Sequence, residues 1–431
     1  MKRLKKVLFF LLTGFFLFKL FSFGSGFMLF EHGTRANGFA GAFTAQANDA
    51  SAIFYNPAGI AFLDGYQLYL GATFIIPKTT FYGANPFPGY GVTEKMASQL
   101  FYPPGFHFVM PIGEKLRIGL GLFSPFGLAT KWDNPDNFTG RYISQYVDLK
   151  HLALSPVVSY KFSDKFALGI GLDVRTSGIT FEKNIPFFNP FTFSVIDIAH
   201  VKLSSGLTNY GVGFSFGALY RPSDRINIGF SYRHKVKVDF EGDAEFIQKS
   251  TGNPILDSLI AAKLPFGKTS VKTSITFPTI VSLGFASNFI ENWVFELDLN
   301  WTEWSTYDRL FIEFPKYPEL NSDSKKYYVD VFHLRLGAER KIGEKTSLRC
   351  GYVFDPSPSL PESVSTQLPD SDRHGFALGF SYNIGKNVWA DFSYIYLLFE
   401  KRSTEGRNSD GYEGDYKSYA NLFGISIGYK F

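Results

Sequence analysis

Two glycine-rich stretches, "GLGLF" at 119–123 and "GIGLD" at 169–173, have the spacing of loops that cradle phosphate, and seven histidines offer bases or metal ligands. Neither feature supports catalysis. Each stretch lies inside an alternating run with no helix after it, and a phosphate loop needs a helix N-terminus. The histidines are scattered without metal-ligand spacing, so no metal is expected. A Ser/His hydrolase would need His107, His151 or His333 to meet a serine in a shared interior. Cys350 stands alone, which excludes an internal disulfide and a cysteine-rich metal site; it reads as a buried small hydrophobe. Neither an enzyme nor a cofactor is expected. What remains is binding chemistry. Cations can hold a carboxylate, and those on polar parity are Arg117, Arg175, Arg233, Lys235, Lys237, Arg335 and Arg373. Of these, Arg373, Arg233, Lys235, Arg175 and Arg335 are the candidate ligands.

That chemistry needs elements to carry it. Aromatic residues make up 18% of the chain, with 49 Phe and 24 Tyr, while hydrophobic residues make up only 45%. A mean hydropathy of −0.03 excludes a helical membrane protein, yet so many rings imply surfaces facing something other than water. Lys2, Arg3, Lys5 and Lys6 precede a short apolar core at 7–18, and "LFSFGSG" supplies small residues for cleavage after Gly24 or Ser25. Residues 1–25 are therefore expected to be a signal peptide, the alternative being an uncleaved anchor helix. Removing Lys2, Arg3, Lys5, Lys6 and Lys19 leaves 38 basic against 39 acidic residues, so nucleic acid is not an expected partner.

Beyond the leader the hydrophobic period is two. In "YANLFGISIGYKF", Tyr419, Phe423, Ile425, Ile427, Tyr429 and Phe431 oppose Ala420, Gly424, Ser426, Gly428 and Lys430. "INIGFSYRHKVKVDF" and "YGVGFSFGALY" repeat the pattern with glycine on the polar face. A soluble sandwich also alternates, but with shorter strands and a polar outer face. Apolar-out, glycine-and-polar-in strands that end in aromatic residues describe a transmembrane barrel of the outer membrane. Six tight turns, around Gly113, Asp164, Asp224, Asn292, Glu344 and Lys386, each join a hairpin. With one further strand at each end the expectation is an all-β antiparallel barrel of fourteen strands, spanning 66–431. Outer-membrane lipid and lipopolysaccharide are then the expected surroundings of a monomer, and Phe431 is the residue offered to the assembly machinery.

"QANDASAIFYNPAG", at 46–59, belongs to no strand. A barrel this wide needs water or a plug in its lumen. Residues 26–65, with small residues, low charge and the rigid Asn56-Pro57 turn, are expected to be that plug, a hatch; a disordered tail is the alternative. Two long connections, 181–206 and 241–270, are the most apolar loops. In the second, Asn253 caps and Pro254 begins a helix whose Ile255, Leu256, Leu259, Ile260 and Leu264 form a stripe. These residues either pack the loops together or bind something apolar.

"GFMLFEHGTRANGFAGAFTAQANDASAIFYNPAG" resembles the hatch of the FadL-type outer-membrane transport family, in Gly26-Phe27, Glu31, Gly38, Ala40, Asp49-Ala50 and Asn56-Pro57-Ala58. "WTEWSTYDRL" (301–310) and "LPDSDRHGFALGFSY" (368–382) extend the resemblance over the rest of the chain. Family hatches often carry two acids where this chain has Asn48-Asp49. The resemblance implies passive uptake of long-chain fatty acids or, as in TodX-like members, aromatic hydrocarbons. It implies capture in a groove between the two long loops, where Phe187, Phe188, Phe191, Phe193, Ile255, Leu256, Leu259 and Ile260 would line the site. It further implies a lumen site beside the hatch and a sideways exit at a kinked strand, with Asn56, Pro57 and Ala58 nearby and Gly26, Phe27 and Glu31 in the gate. A general porin and a loop-borne adhesin or receptor remain alternatives.

Overall fold

The alternation of the last segment becomes a single long strand in the computed structural model, which describes residues 26–190 and 192–431. The expected signal peptide at 1–25 and the groove candidate Phe191 lie outside the described residues. Fourteen antiparallel strands make the wall: β1 (Gln67–Gly83), β2 (Pro104–Ile112), β3 (Leu116–Phe123), β4 (Tyr146–Ser163), β5 (Phe166–Asn189), β6 (Asn209–Ser223), β7 (Ile226–Arg233), β8 (Ile280–Ser287), β9 (Trp293–Thr302), β10 (Val331–Ile342), β11 (Thr346–Asp355), β12 (Arg373–Asn383), β13 (Val388–Phe399) and β14 (Gly414–Lys430). Each pairs with its neighbours, and β1 pairs with β14 from Gln67↔Lys430 to Gly83↔Gly414, so the sheet closes. Closure leaves no edge within the wall, the condition for crossing a bilayer with strands. The six expected turns all join neighbouring strands at one end, and both chain ends of the wall lie at that same end.

The two faces differ as the alternation requires. On β14, Ile425, Ile427 and Tyr429 point outward, whereas Ala420 and Leu422 are buried. Cys350 departs from expectation. It is exposed on the outer face of β11, opposite Ala338 and Leu378, so lipid rather than protein surrounds it. Lys235 and Lys237 are a second correction. Residues 234–235 interrupt the ladder after β7 and shift the parity by one, turning Val236 and Val238 inward and both lysines outward.

Residues 26–65 fill the lumen. They form two short helices, α1 (Thr34–Gly38) and α2 (Ala52–Tyr55), and a 3-10 turn at Pro57–Phe62, separated by tight bends. The glycines of the inner wall are where this plug touches it. A methyl group on Gly169 would come within 2.6 Å of the Ala58 nitrogen, and one on Gly217 within 2.8 Å of Pro57 Cδ. Phe39 likewise lies against Gly337 and Gly351. Charge fixes the plug's rotation. Asp298 accepts the backbone N–H groups of Phe43 and Thr44 at 2.9 Å, and Glu296 accepts that of Ala45 at 2.6 Å and that of Gln46. Arg35 pairs with Glu339 at 3.2 Å, and Arg349 holds the same carboxylate at 2.6 Å.

At the other end the long connections extend the same sheet as a branch beyond the wall. The outer part of β5 pairs with Ser194–Ser204, which pairs with Val236–Gln248, then Gly267–Phe277, Arg309–Glu313 and Ser322–Lys325. The first long loop is thus a hairpin rather than a coil. The second holds the expected helix, α3 (Pro254–Ala261), capped by the Asn253 side chain, which accepts the N–H groups of Ile255 and Leu256.

Candidate functional site

Prolines open the wall between β2 and β3. The two strands pair from Ile112↔Leu116 to Phe106↔Leu122, and contact resumes at the Met96–Trp132 bridge. Between these points run "YPPG" on one side and "SPFG" on the other. Pro103, Pro104 and Pro125 have no N–H to give a ladder, so the gap between them stays unzipped. A cavity of ≈ 540 Å³ occupies this gap, lined by residues 100–104 on one edge and by Ser124 and residues 126–130 on the other. Its lining includes the inward-facing His151 and Leu149 of β4 and also their outward-facing neighbours Lys150 and Leu152. The cavity therefore passes through the wall, from lumen to lipid face.

The start of the hatch closes the inner mouth of this window. Leu29 donates its N–H to the Pro125 carbonyl at 2.9 Å, and Gly127 donates to the Phe27 carbonyl at 3.0 Å. Gly26, Phe27, Met28, Leu29 and Glu31 all line the cavity. Gly26 has φ 53, and a side chain there would strike Trp304. The Phe27 ring stands edge-on to Trp304 at 4.8 Å, Tyr307 at 5.4 Å, Phe126 at 6.1 Å and Phe277 at 6.2 Å. Edge-to-face contacts of this kind hold a ring firmly in an apolar socket.

Phe27 also lines a second cavity, of ≈ 110 Å³, on the long-loop side. Phe181, Leu203, Phe240, Ile275, Tyr307, Leu310 and Tyr328 are among the apolar residues of its wall. Lys326 sits at its polar corner with Ser363, Ser365 and Gln367, its ammonium 3.4 Å from Gln367 Oε1. Burial pulls the Lys326 ammonium below its ordinary range, and Asp410 opposes the shift. The two cavities meet at Phe27, Leu128, Leu149 and Leu368. These four side chains stand between the chamber on the long-loop side and the cavity in the wall.

The cation candidates separate on inspection. Arg373 lines the through-wall cavity, pairs with Asp355 at 2.9 Å and keeps its buried Nε without a hydrogen-bond partner. Arg175 and Arg233 share Asp173, and Arg233 also donates to the Phe54 carbonyl of the hatch. Arg175 is fully buried, with Nε and Nη1 unpaired. Arg335 stacks 3.9 Å from the Phe30 ring and donates to the Ala40 carbonyl. Lys235 is outside the lumen, paired with Glu303 at 3.3 Å.

Asn56, Pro57 and Ala58 line neither cavity. The Asn56 side chain donates to the Thr44 and Ala218 carbonyls, and Ser159 donates to the Pro57 carbonyl. The turn is a wedge against β4, β5 and β6, nearer the short-turn end than the window. The loop candidates divide by face. Leu256 and Ile260 of α3 pack on Ile198, with Phe187 beside them, whereas Ile255, Leu259, Phe188 and Phe193 are exposed. Sequence reasoning missed Lys326, Tyr307, Tyr328 and the window's edges. The paired "YPPG" and "SPFG" runs were a signal for the last of these.

A family model described as "Outer membrane protein transport protein (OMPP1/FadL/TodX)" matches residues 17–431. The "Long-chain fatty acid transport protein" of Escherichia coli O6:H1 is 24% identical over 407 residues, 90% of each chain. The crystal structure of a Pseudomonas aeruginosa FadL homologue superposes with a TM-score of 0.82 at 22% identity, covering 94% of this chain and 100% of that one. The P. putida toluene transporter TodX superposes with a TM-score of 0.71 at 18% identity, covering 95% and 99%. The plugged barrel and the span of these matches agree: the chain belongs to the OMPP1/FadL/TodX family of outer-membrane β-barrels, which transport hydrophobic compounds and are not enzymes.

Proposed function

We propose that this protein carries long-chain fatty acids passively across the outer membrane and releases them sideways through the β2–β3 window. The observation that carries the reading is Lys326, a half-buried cation in a mainly apolar chamber whose other cation, Lys272, is already paired with Glu241 at 2.6 Å. An alkyl chain fits the apolar wall, and a carboxylate fits the ammonium and its neighbouring serines. Arg373 offers a second cation on the through-wall side. Cargo enters from the loops, displaces Phe27 and leaves along Leu149 and Leu152 into lipid. The E. coli relative named for long-chain fatty acids supports the same class.

A monoaromatic cargo is the second reading, favoured by the ring socket around Phe27. Uptake of labelled oleate and labelled toluene in a transporter-null strain separates the two. Lys326→Met should lower oleate uptake by about tenfold, the loss of one charge-assisted hydrogen bond, and leave toluene unchanged. Equal loss of both would place Lys326 in the scaffold rather than at the cargo. Rapid uptake of hydrophilic sugars would overturn the transport reading in favour of a porin.

A further inference from the structure

The apolar band of the wall stops at a definite height on the long-loop side, and lysines begin there. On the lipid face of β14 the band runs from Tyr429 through Ile427, Ile425 and Phe423 to Tyr419. Those ten residue steps, at about 3.3 Å each and tilted by about 40°, rise about 25 Å, the height of an outer-membrane apolar belt. Lys417 is the next outward residue. On β1 the same face runs from Leu68 to Ile76 and then reaches Lys78 and Thr80. Short turns lie on the periplasmic side of such barrels, so these lysines stand at headgroup height in the outer leaflet.

Strand pairing gathers four of them. Thr80 faces Lys417 on one side and Lys95 of the short strand Thr93–Lys95 on the other. That row spans two strand spacings, about 10 Å. Lys78 is one step down the same face of β1, its ammonium donating to the Ser98 hydroxyl. The Met96–Trp132 bridge, where the window ends, sets Lys131 opposite Ala97 and Asp133 opposite Lys95. The four lysines thus ring two small side chains, Thr80 and Ala97, which leave a shallow floor between them. The flanking lysines are neutralised, Lys150 by Asp148 at 3.5 Å and Lys401 by Asp415 at 2.6 Å. Lys78, Lys95, Lys131 and Lys417 make no ion pair among the described residues, and Asp133 alone offsets them within these rows. Like charges set side by side on a sheet repel, so the ring calls for a shared, multiply charged anion. At this height the lipid that carries one is lipopolysaccharide, with its sugar-borne phosphates. Below the ring the edge of the window holds Leu100, 52% exposed, and Tyr102, 68% exposed, where acyl chains would lie.

We propose that the phosphates of an outer-leaflet lipopolysaccharide seat on Lys78, Lys95, Lys131 and Lys417, so that its acyl chains cover the outer mouth of the β2–β3 window. This holds for either cargo. The test uses purified full-length protein in detergent with bisphosphorylated lipid A, its dephosphorylated form or inorganic phosphate, and reads binding by native mass spectrometry. Wild type should hold bisphosphorylated lipid A, and K78Q/K95Q/K131Q/K417Q should weaken it by about tenfold. K202Q/K235Q/K237Q/K249Q removes the same charge from lysines that already have acids, and should bind as wild type does. Heat-modifiable migration checks the fold of each. Equal binding by wild type and the first variant overturns the site, as does an equal loss in the second. Dephosphorylated lipid A held as tightly overturns the phosphate contact, and full competition by inorganic phosphate overturns the lipid as occupant. Benzoylphenylalanine in place of Tyr102 should photocrosslink to lipid A, and the adduct should vanish with the four lysines. Bound lipid A without that adduct overturns its place across the window.

Discussion

Phe27 is the hatch residue among the four that line both cavities, and its ring sits in an aromatic socket between them. Replacing it with alanine should join the chambers and leave every wall strand paired. The expected outcome for Phe27→Ala is faster entry of a hydrophobic dye, unchanged heat-modifiable migration and no gain in sugar permeability. Unchanged dye entry would assign the separation to Leu128 and Leu149 instead. The arginines show what could and could not be read at this scale. Parity alone places Arg175, Arg233, Arg335 and Arg373 inside the barrel, and all four are there. Parity could not show that Arg233 and Arg335 are spent on hatch carbonyls, because Phe54 and Ala40 lie far from them in sequence. Lys326 follows the short strand Ser322–Lys325, outside the wall, where parity has no meaning.

Among the elements, the window and the hatch segment that covers it form a weak joint by design of their bonding. Two backbone hydrogen bonds, each worth about 1 kcal/mol net, hold residues 27 and 29 to the β3 side of the gap. Leu29→Pro removes one donor and should raise dye entry by a few-fold, with oleate binding retained; complete loss of binding would show that the segment builds the site rather than covering it. Deleting Asn56, Pro57 and Ala58 acts elsewhere. The wedge against β4 to β6 would be lost, so uptake should fall while the barrel still migrates as a folded band. Unchanged uptake with greater antibiotic leakage would reduce the turn to plug fit alone. Hairpin turns were legible because Gly, Asn, Asp and Lys fix them locally. The window was not, because an unzipped ladder is a property of two segments whose prolines sit about twenty residues apart in the chain. The parity slip at His234 was hidden for the same reason: nothing in "YRHKVKV" announces which side the chain resumes on.

For the molecule as a whole, hatch and wall are one packed body rather than a cork in a pipe. Glu296 and Asp298 together accept four consecutive hatch N–H groups. Neutralising both (E296Q/D298N) should let hydrophilic antibiotics through several-fold faster without unfolding the barrel, since the strands are held by one another. Wild-type antibiotic resistance in that double variant would mean that shape alone retains the plug. Strand number, closure and the presence of a plug were legible from alternation, turns and barrel width. The reason for the inward glycines was not, since alternation records that a side chain is small and not what presses on it. That pressing has a bearing on biogenesis. The hatch leaves the lumen through Asp64 and Gly65, beside the β1–β14 seam, where Tyr66 and Phe431 exchange backbone hydrogen bonds. A segment that presses on Gly217 on one side and Gly337 on the other has little slack for entering a finished ring. The seam is therefore expected to be the last joint made, sealed around an interior that is already in place.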